Sequence, residues 1–372
     1  MASVCDRCRR RLGRALSETQ RFRARLLGLA SARPNLRTRR AAAGVIALAL
    51  FATHAHAQSV EDFYRGKTIT LTIGFSVGGG YDLYARMLAR HLGKHIPGQP
   101  NVLPQNREGA GSQRATLYLY NAAPKDGTVI GTFSRSMVVA PLIADAPFDA
   151  TRLSWIGSIS SDVSTCVTWK TSPVRTFEDM LVKPFTMGGL AAGADPDIFA
   201  LMLRNVFGAK LKLVSGYPGT NDVTLAMERG EINGLCGLSW STVKSRHMEW
   251  VKAKTVNIPV QMGFAKEPAI ADVPSVLDLA KGEEQTRIVK LILAGQAVAR
   301  PYAAPPGIPD DRRRALIAAF DETMKDPEFL ADAEKLQADV NPMTAGEIDR
   351  LLADIYATPK NIVAKAAKAI AN

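Results

Sequence analysis

"TIGFSVGGGYDLYAR" (residues 72–86) decides how this chain is read. Within it, Gly74-Phe75-Ser76-Val77-Gly78 fits G-x-S-x-G, the strained turn that presents a nucleophilic serine in one class of hydrolase. The same piece runs on through Gly79 and Gly80 into a helical pattern, and glycines before a helix are also how backbones cradle anions. Ser76 is either a nucleophile or part of a loop that holds a ligand.

The nucleophile reading needs a base. Beyond residue 57 the histidines are His91, His95 and His247. His91 and His95 fall one and two turns down the helix that Ser76 would precede, facing away from its start. His247 follows in the right order, yet "KSRHMEW" reads as a polar helix surface. A nucleophile elbow also follows several strands, because its oxyanion loop is built upstream; here one strand precedes it. A dinucleotide site is equally thin, since position 83 is Leu where the third glycine would stand and no acid follows near residue 103. No Walker sequence, H-E-x-x-H or Cys/His ligand set occurs. The remaining reading is non-covalent: glycines let successive N–H groups converge, and the helix start adds partial positive charge. One such contact contributes roughly 0.3–2 kcal/mol. Two facing loops closing on a ligand reach the roughly −8 kcal/mol of micromolar affinity.

A second loop is legible. "TMGGLAAGADPDIFALMLRNVFGAKL" (186–211) overlays 72–96 with one insertion, placing Asp197 on Asp82, Met202-Leu203 on Met87-Leu88 and Gly208 on Gly93. Around these units strands and helices alternate. Strands are expected at 68–75, 101–106, 128–134, 211–217 and 231–239, with helices at 82–92, 112–122 and 220–230, the last closing on Gly230. That order implies α/β layers with parallel strands. The stretch 153–169 reads as one long strand passing between domains, and the proline-rich 298–311 as a fixed loop. Asp310 suits an N-cap, and Thr344 with Glu347 a capping box.

Composition limits the function classes. The chain of 372 residues carries a formal charge of +12. Residues 1–57 hold twelve Arg and no Lys against Asp6 and Glu18, so the rest carries only +2 and has no electrostatic reason to bind nucleic acid. Arg37, Arg39 and Arg40, the apolar run "AAAGVIALALF" and Ala55-His56-Ala57 compose a secretory signal, with 1–57 removed as leader and signal peptide. Sec and twin-arginine export both stay open. The apolar run is too short for a bilayer core of about 30 Å. Cys5 and Cys8 fall in the leader without a second pair, which disfavours zinc. Two cysteines in an exported chain, Cys166 and Cys236, point to a disulfide, with two buried thiols as the alternative.

The residues then carry a resemblance. "IGFSVGGGYDLYARMLARHL" resembles the "PFxPGGxxDxxAR" segment of the tripartite tricarboxylate transporter substrate-binding proteins, the Bug family. "VLPQNREGAGS", "APKDGTVIGTFS", "SGYPGTNDVTLAMERGEIN", "DVPSVLDLA" and "YAAPPGIPDDRRRAL" follow in the family's order over about residues 61–355. The resemblance implies a type II periplasmic-binding-protein fold, two Rossmann-like α/β lobes joined by crossing strands around a ligand cleft. Lobe 1 would be 58–163 and 262–372, and lobe 2 would be 164–261. It implies a periplasmic receptor, a monomer without cofactor or metal, that delivers a small carboxylate or amino-acid-like ligand to membrane transport subunits. By position, the first-lobe loop is Phe75, Ser76, Val77, Gly78, Gly79, Gly80, Tyr81 and Asp82, its amides holding a carboxylate while Phe75 packs the ligand. Ser134, Arg135 and Ser136 end a strand at the cleft. Ala191, Ala192, Gly193 and Asp195 form the second-lobe loop, and Tyr217, Pro218, Gly219 and Asn221 a third.

The chain departs from the family at Ser76 and Pro218, which replace proline and lysine, and at Asp195 and Asp197, where hydroxyl residues are usual. Asp195 before Pro196 suits an N-cap. An acid facing the cleft would instead disfavour a second ligand carboxylate and suit an amino group, with Arg135 pairing the ligand's acid. A serine hydrolase using Ser76 and His247, and a ligand sensor for a signalling partner, are the alternative functions.

Overall fold

Strand-forming runs assemble two sheets in the computed structural model, which describes residues 58–144 and 146–372. The leader, its cleavage site and the Cys5–Cys8 pair lie outside the described residues. The strands are β1 (Thr68–Ile73), β2 (Asn101–Asn106), β3 (Val129–Thr132), β4 (Ser154–Ser158), β5 (Ser164–Trp169), β6 (Phe185–Gly188), β7 (Leu211–Val214), β8 (Gly234–Ser239), β9 (Val256–Met262), β10 (Pro301–Ala304) and β11 (Met343–Thr344). One sheet runs β11-β4-β10-β3-β1-β2 and the other β7-β6-β8-β5-β9.

Each sheet has a parallel heart where strand–helix–strand units follow one another. β1 pairs parallel with β2 and β3, and β6 parallel with β7 and β8. Strands arriving from elsewhere in the chain join antiparallel: β10 between β3 and β4, and β5 between β8 and β9. Ile69, Leu71 and Ile73 of β1 are fully buried, each contributing roughly 1.5–3 kcal/mol. Of the helices, α1 (Gly80–Leu92), α2 (Asp195–Phe207), α3 (Thr220–Glu228) and α4 (Trp240–Arg246) follow strands and carry the site. The C-terminal helices α5 (Gly282–Leu293), α6 (Asp310–Thr323), α7 (Pro327–Lys335), α8 (Ala345–Tyr356) and α9 (Lys360–Ala369) cover the layers. Cys166 of β5 and Cys236 of β8 are joined in a disulfide. Ser59–Asn372 form one compact unit, and among the described residues no helix is long and apolar enough to cross a membrane.

Three sequence expectations are corrected. The stretch 153–169 is two strands, β4 in the six-stranded sheet and β5 in the five-stranded one, with the crossing between them. The proline-rich segment is not all loop: Pro301–Ala304 is β10, fully interior to its sheet. Proline is tolerated there because it is the strand's first residue. Asp310 is the first residue of α6, whose N-cap is Pro309 without a side-chain bond. The Thr344–Glu347 capping box is present in both halves, and Gly230 ends its helix at φ 76°.

Candidate functional site

The first loop leaves β1 after Ile73 and enters α1 at Gly80. Gly74 is required by close approach, since a Cβ there would stand 2.1 Å from Ser112 Oγ. Gly78 has φ 91°, the left-handed region. Asp82, third residue of α1, turns back so that its carboxylate accepts the Gly78 amide at 3.0 Å. Arg86 Nε at 2.9 Å and Asn106 Nδ2 at 2.8 Å complete its shell, and Asn106 Nδ2 also reaches the Phe75 carbonyl at 2.9 Å. Burial pushes the Asp82 carboxyl up, but the bonds from Arg86, Asn106 and Gly78 outweigh it and hold the group below its usual range. The amides of Ser76 and Val77 find no acceptor among the described residues. Phe75 and Tyr81 stack at 4.2 Å between centroids and form an aromatic wall.

The second loop repeats the device with other chemistry. Asp197, third residue of α2, accepts the Leu190 amide at 2.6 Å and the Ala191 amide at 3.1 Å, and also the Ser215 hydroxyl. No cation joins it among the described residues, and burial raises its carboxyl above the usual value despite those bonds. Gly193 sits at φ 85°. Asp195 is not an N-cap: Ala194 holds that place without a side-chain bond, and Asp195 is the first helical residue. Its carboxylate is turned toward Arg135 instead. The third loop, Tyr217 to Asn221, brings Gly219 to the N-cap of α3 and Asn221 beside Gly78.

These loops meet. Ser76 Oγ donates to Asp222 Oδ2 at 2.9 Å, and a Cβ on Gly219 would stand 2.2 Å from Ser76 Oγ. Ser136 Oγ donates to the Gly193 carbonyl at 2.6 Å, and Ser134 Oγ to Asp195 Oδ1 at 3.3 Å. Both serines stand in the turn after β3, where Ser134 caps the short helical turn Arg135–Val138. Arg135, 1% exposed, pairs through Nε with Asp195. Its other nitrogens reach Ser239 Oγ at 3.0 Å and Ser164 Oγ at 2.6 Å. Phe75 packs among Leu190, Val223 and Trp240 of the five-stranded half.

Arg300 was missed in the sequence. It is equally buried, reaching Ser241 Oγ at 3.0 Å and Thr242 Oγ1 at 3.1 Å, with Asp162 at 3.5 Å and Tyr81 beneath it at 4.9 Å. A lone arginine closing the apolar run "AGQAVAR" was the available signal. Ser164 and Ser239, at the ends of β5 and β8, carried no signal beyond their strands.

No histidine among the described residues bonds Ser76. Its hydroxyl is bound to Asp222, while His91 and His95 pair with Asp332 and Asp326 at 3.0 and 2.9 Å. His247 stacks on Trp250 at 3.8 Å, and burial, helped by Arg246, lowers it to about 4.

This arrangement of two α/β layers is similar to that of solved structures. The chain aligns with BugD, a periplasmic binding protein, at a TM-score of 0.64 and 19% identity over 82% of this chain and 97% of that one. The fold is that of the periplasmic binding proteins. Its two sheets accord with the type II form of that fold. MatC from Rhodopseudomonas palustris with bound malate aligns at 0.65 and 17% identity, over 80% of this chain and 99% of that one. An R. palustris protein with adipate aligns at 0.63 and 16% identity, over 81% and 97%. In sequence, a UPF0065 protein of Cupriavidus necator is 23% identical over 334 residues, 87% of this chain and 94% of that protein. A UPF0065 protein of Agrobacterium vitis is 26% identical over 228 residues, and the match spans 62% of that protein's length. No protein-family model matches the chain. The resemblance to the Bug family read from the sequence is thus accompanied by the fold of BugD.

Proposed function

We propose that this chain is a periplasmic solute-binding receptor. It captures a small carboxylate between two lobes, 58–163 with 262–372 and 164–261, and delivers it unaltered to the membrane subunits of a tripartite tricarboxylate-type transporter. The observation that carries the reading is the meeting of the loops. Phe75–Asp82, Ser134–Ser136, Ala191–Asp195 and Tyr217–Asn221 come from both sheets and bond across their junction through Ser76–Asp222, Ser136–Gly193 and Arg135–Asp195. Contacts of that kind close a cleft, and the Ser76 and Val77 amides, in the loop that Asp82 fixes through Gly78, supply anion-binding groups at its wall. Ser76 serves as a wall residue, because its hydroxyl is spent on Asp222 and no described histidine bonds it.

A thermal-shift screen against carboxylates, amino acids and aromatic acids tests the reading, since a ligand that binds only the folded state raises the melting temperature by mass action. A saturable rise for at least one carboxylate is expected. A flat response across the panel, or an ester- or amide-cleaving activity lost in Ser76→Ala, overturns it.

A further inference from the structure

Resting on the receptor reading, we infer that the ligand is zwitterionic, carrying one carboxylate and one ammonium group, and that Arg135 and Asp195 select it. The two side chains approach the junction from opposite sheets, and both are buried, their side chains 1% and 8% exposed. In the closed junction each neutralises the other. A ligand that enters between them separates the pair, so it must replace for each partner what it removes. A carboxylate takes the place of Asp195 on Arg135, whose remaining nitrogens keep Ser164 and Ser239. Asp195 then retains only the Ser134 hydroxyl at 3.3 Å and needs a cation. A buried carboxylate left without one is strongly disfavoured. An ammonium group meets that need.

The surrounding charges exclude the other small acids. A dicarboxylate would set its second carboxylate toward Asp195 or toward Asp222 on Ser76, and like charges repel strongly where water is excluded. The other buried arginine beside Ser239, Arg300, is already engaged, facing Asp162 at 3.5 Å. A monocarboxylate without an amine satisfies Arg135 and strands Asp195. Asp82 and Asp197 do not alter the balance, since each is turned onto its own loop's amides.

Isothermal titration of the wild-type chain at neutral pH, using alanine, leucine and phenylalanine beside their deaminated acids, with succinate, malate and adipate, tests the inference. At least one amino acid is expected to bind 100-fold or more tighter than its deaminated partner, with all three dicarboxylates weaker still. In Asp195→Asn the ratio between amino acid and deaminated acid should fall below tenfold, and dicarboxylates should gain at least tenfold. Should Asp195→Asn fail to fold by circular dichroism, the wild-type series decides alone. A dicarboxylate or deaminated acid binding as tightly as every amino acid overturns the zwitterion while leaving the receptor standing. Binding of nothing in the panel overturns both.

Discussion

The two loops that front α1 and α2 are built alike and charged differently. In each, a carboxylate on the third helical residue turns back onto the preceding loop's amides: Asp82 on Gly78, and Asp197 on Leu190 and Ala191. Four residues on, the first helix supplies Arg86 to Asp82, whereas the second has Leu201 at the matching place. The cation and Asn106 hold Asp82 ionised against its burial, while Asp197, with hydroxyl and amide donors only, is pushed toward its protonated form. The same backbone task is therefore done by a carboxyl group with a cation beside it in one place and without one in the other.

The largest expected effect separates the halves by covalent chemistry. The Cys166–Cys236 bridge closes a loop of 70 residues within the five-stranded sheet, and the chain-entropy model assigns such a closure about 4 kcal/mol. Cys166→Ser with Cys236→Ser should lower stability to urea by that order. Hydrogen exchange should quicken in β5–β9 more than in β1–β3; equal quickening in both sheets would break the contrast.

Acid sensitivity comes next. His247 has a folded-state pKa of about 4 against an ordinary 6.5. Between these values the unfolded chain holds more protons, so stability is complete above pH 6.5 and is lost as pH falls toward 4. The loss amounts to at most about 3 kcal/mol. His247→Phe should flatten that stretch of a pH–stability curve, and an unchanged slope would assign the effect elsewhere.

The carboxylates themselves give a sharper test. Asp197→Ala, which strands two amides and a hydroxyl, should cost about 2–3 kcal/mol by chemical denaturation. Asp82→Ala should cost less, about 1–2 kcal/mol, because Arg86 is 39% exposed and returns to water. With asparagine the order should invert, since Asp82→Asn removes the charge that pairs with Arg86, whereas Asp197 has no cation partner to lose among the described residues. Asp82 contributes stability above its ordinary pKa of 3.8 that is lost as pH falls below it. Asp197, shifted upward, opposes stability as pH rises past 3.8.

The smallest effects concern closure. Gly219→Ala sets a methyl against Ser76 and should weaken ligand binding about tenfold, roughly 1.4 kcal/mol, with little change in unliganded melting. Ser76→Ala removes one bond to Asp222 and should cost less than that in titration calorimetry.

What was legible in the sequence was local. β1, its glycine loop and the Asp82–Asp197 overlay follow from patterns within some fifteen neighbours, and the structure finds both carboxylates at the same helical position. The misreadings arose where partners are distant in sequence. Asp195 beside Pro196 looks like a cap until Arg135, 60 positions earlier, arrives from the other sheet. Pro301 looks like loop punctuation until β4 and β3 flank it. Arg300 became readable only when Tyr81, Ser241 and Asp162 were brought around it. Charge pairing across a junction leaves no periodicity to detect.

Because Asp82 and Asp197 are bonded to amides of their own loops, a solute captured as proposed would meet surfaces that are already set. On the proposed receptor reading, recognition would then demand little local ordering of either loop.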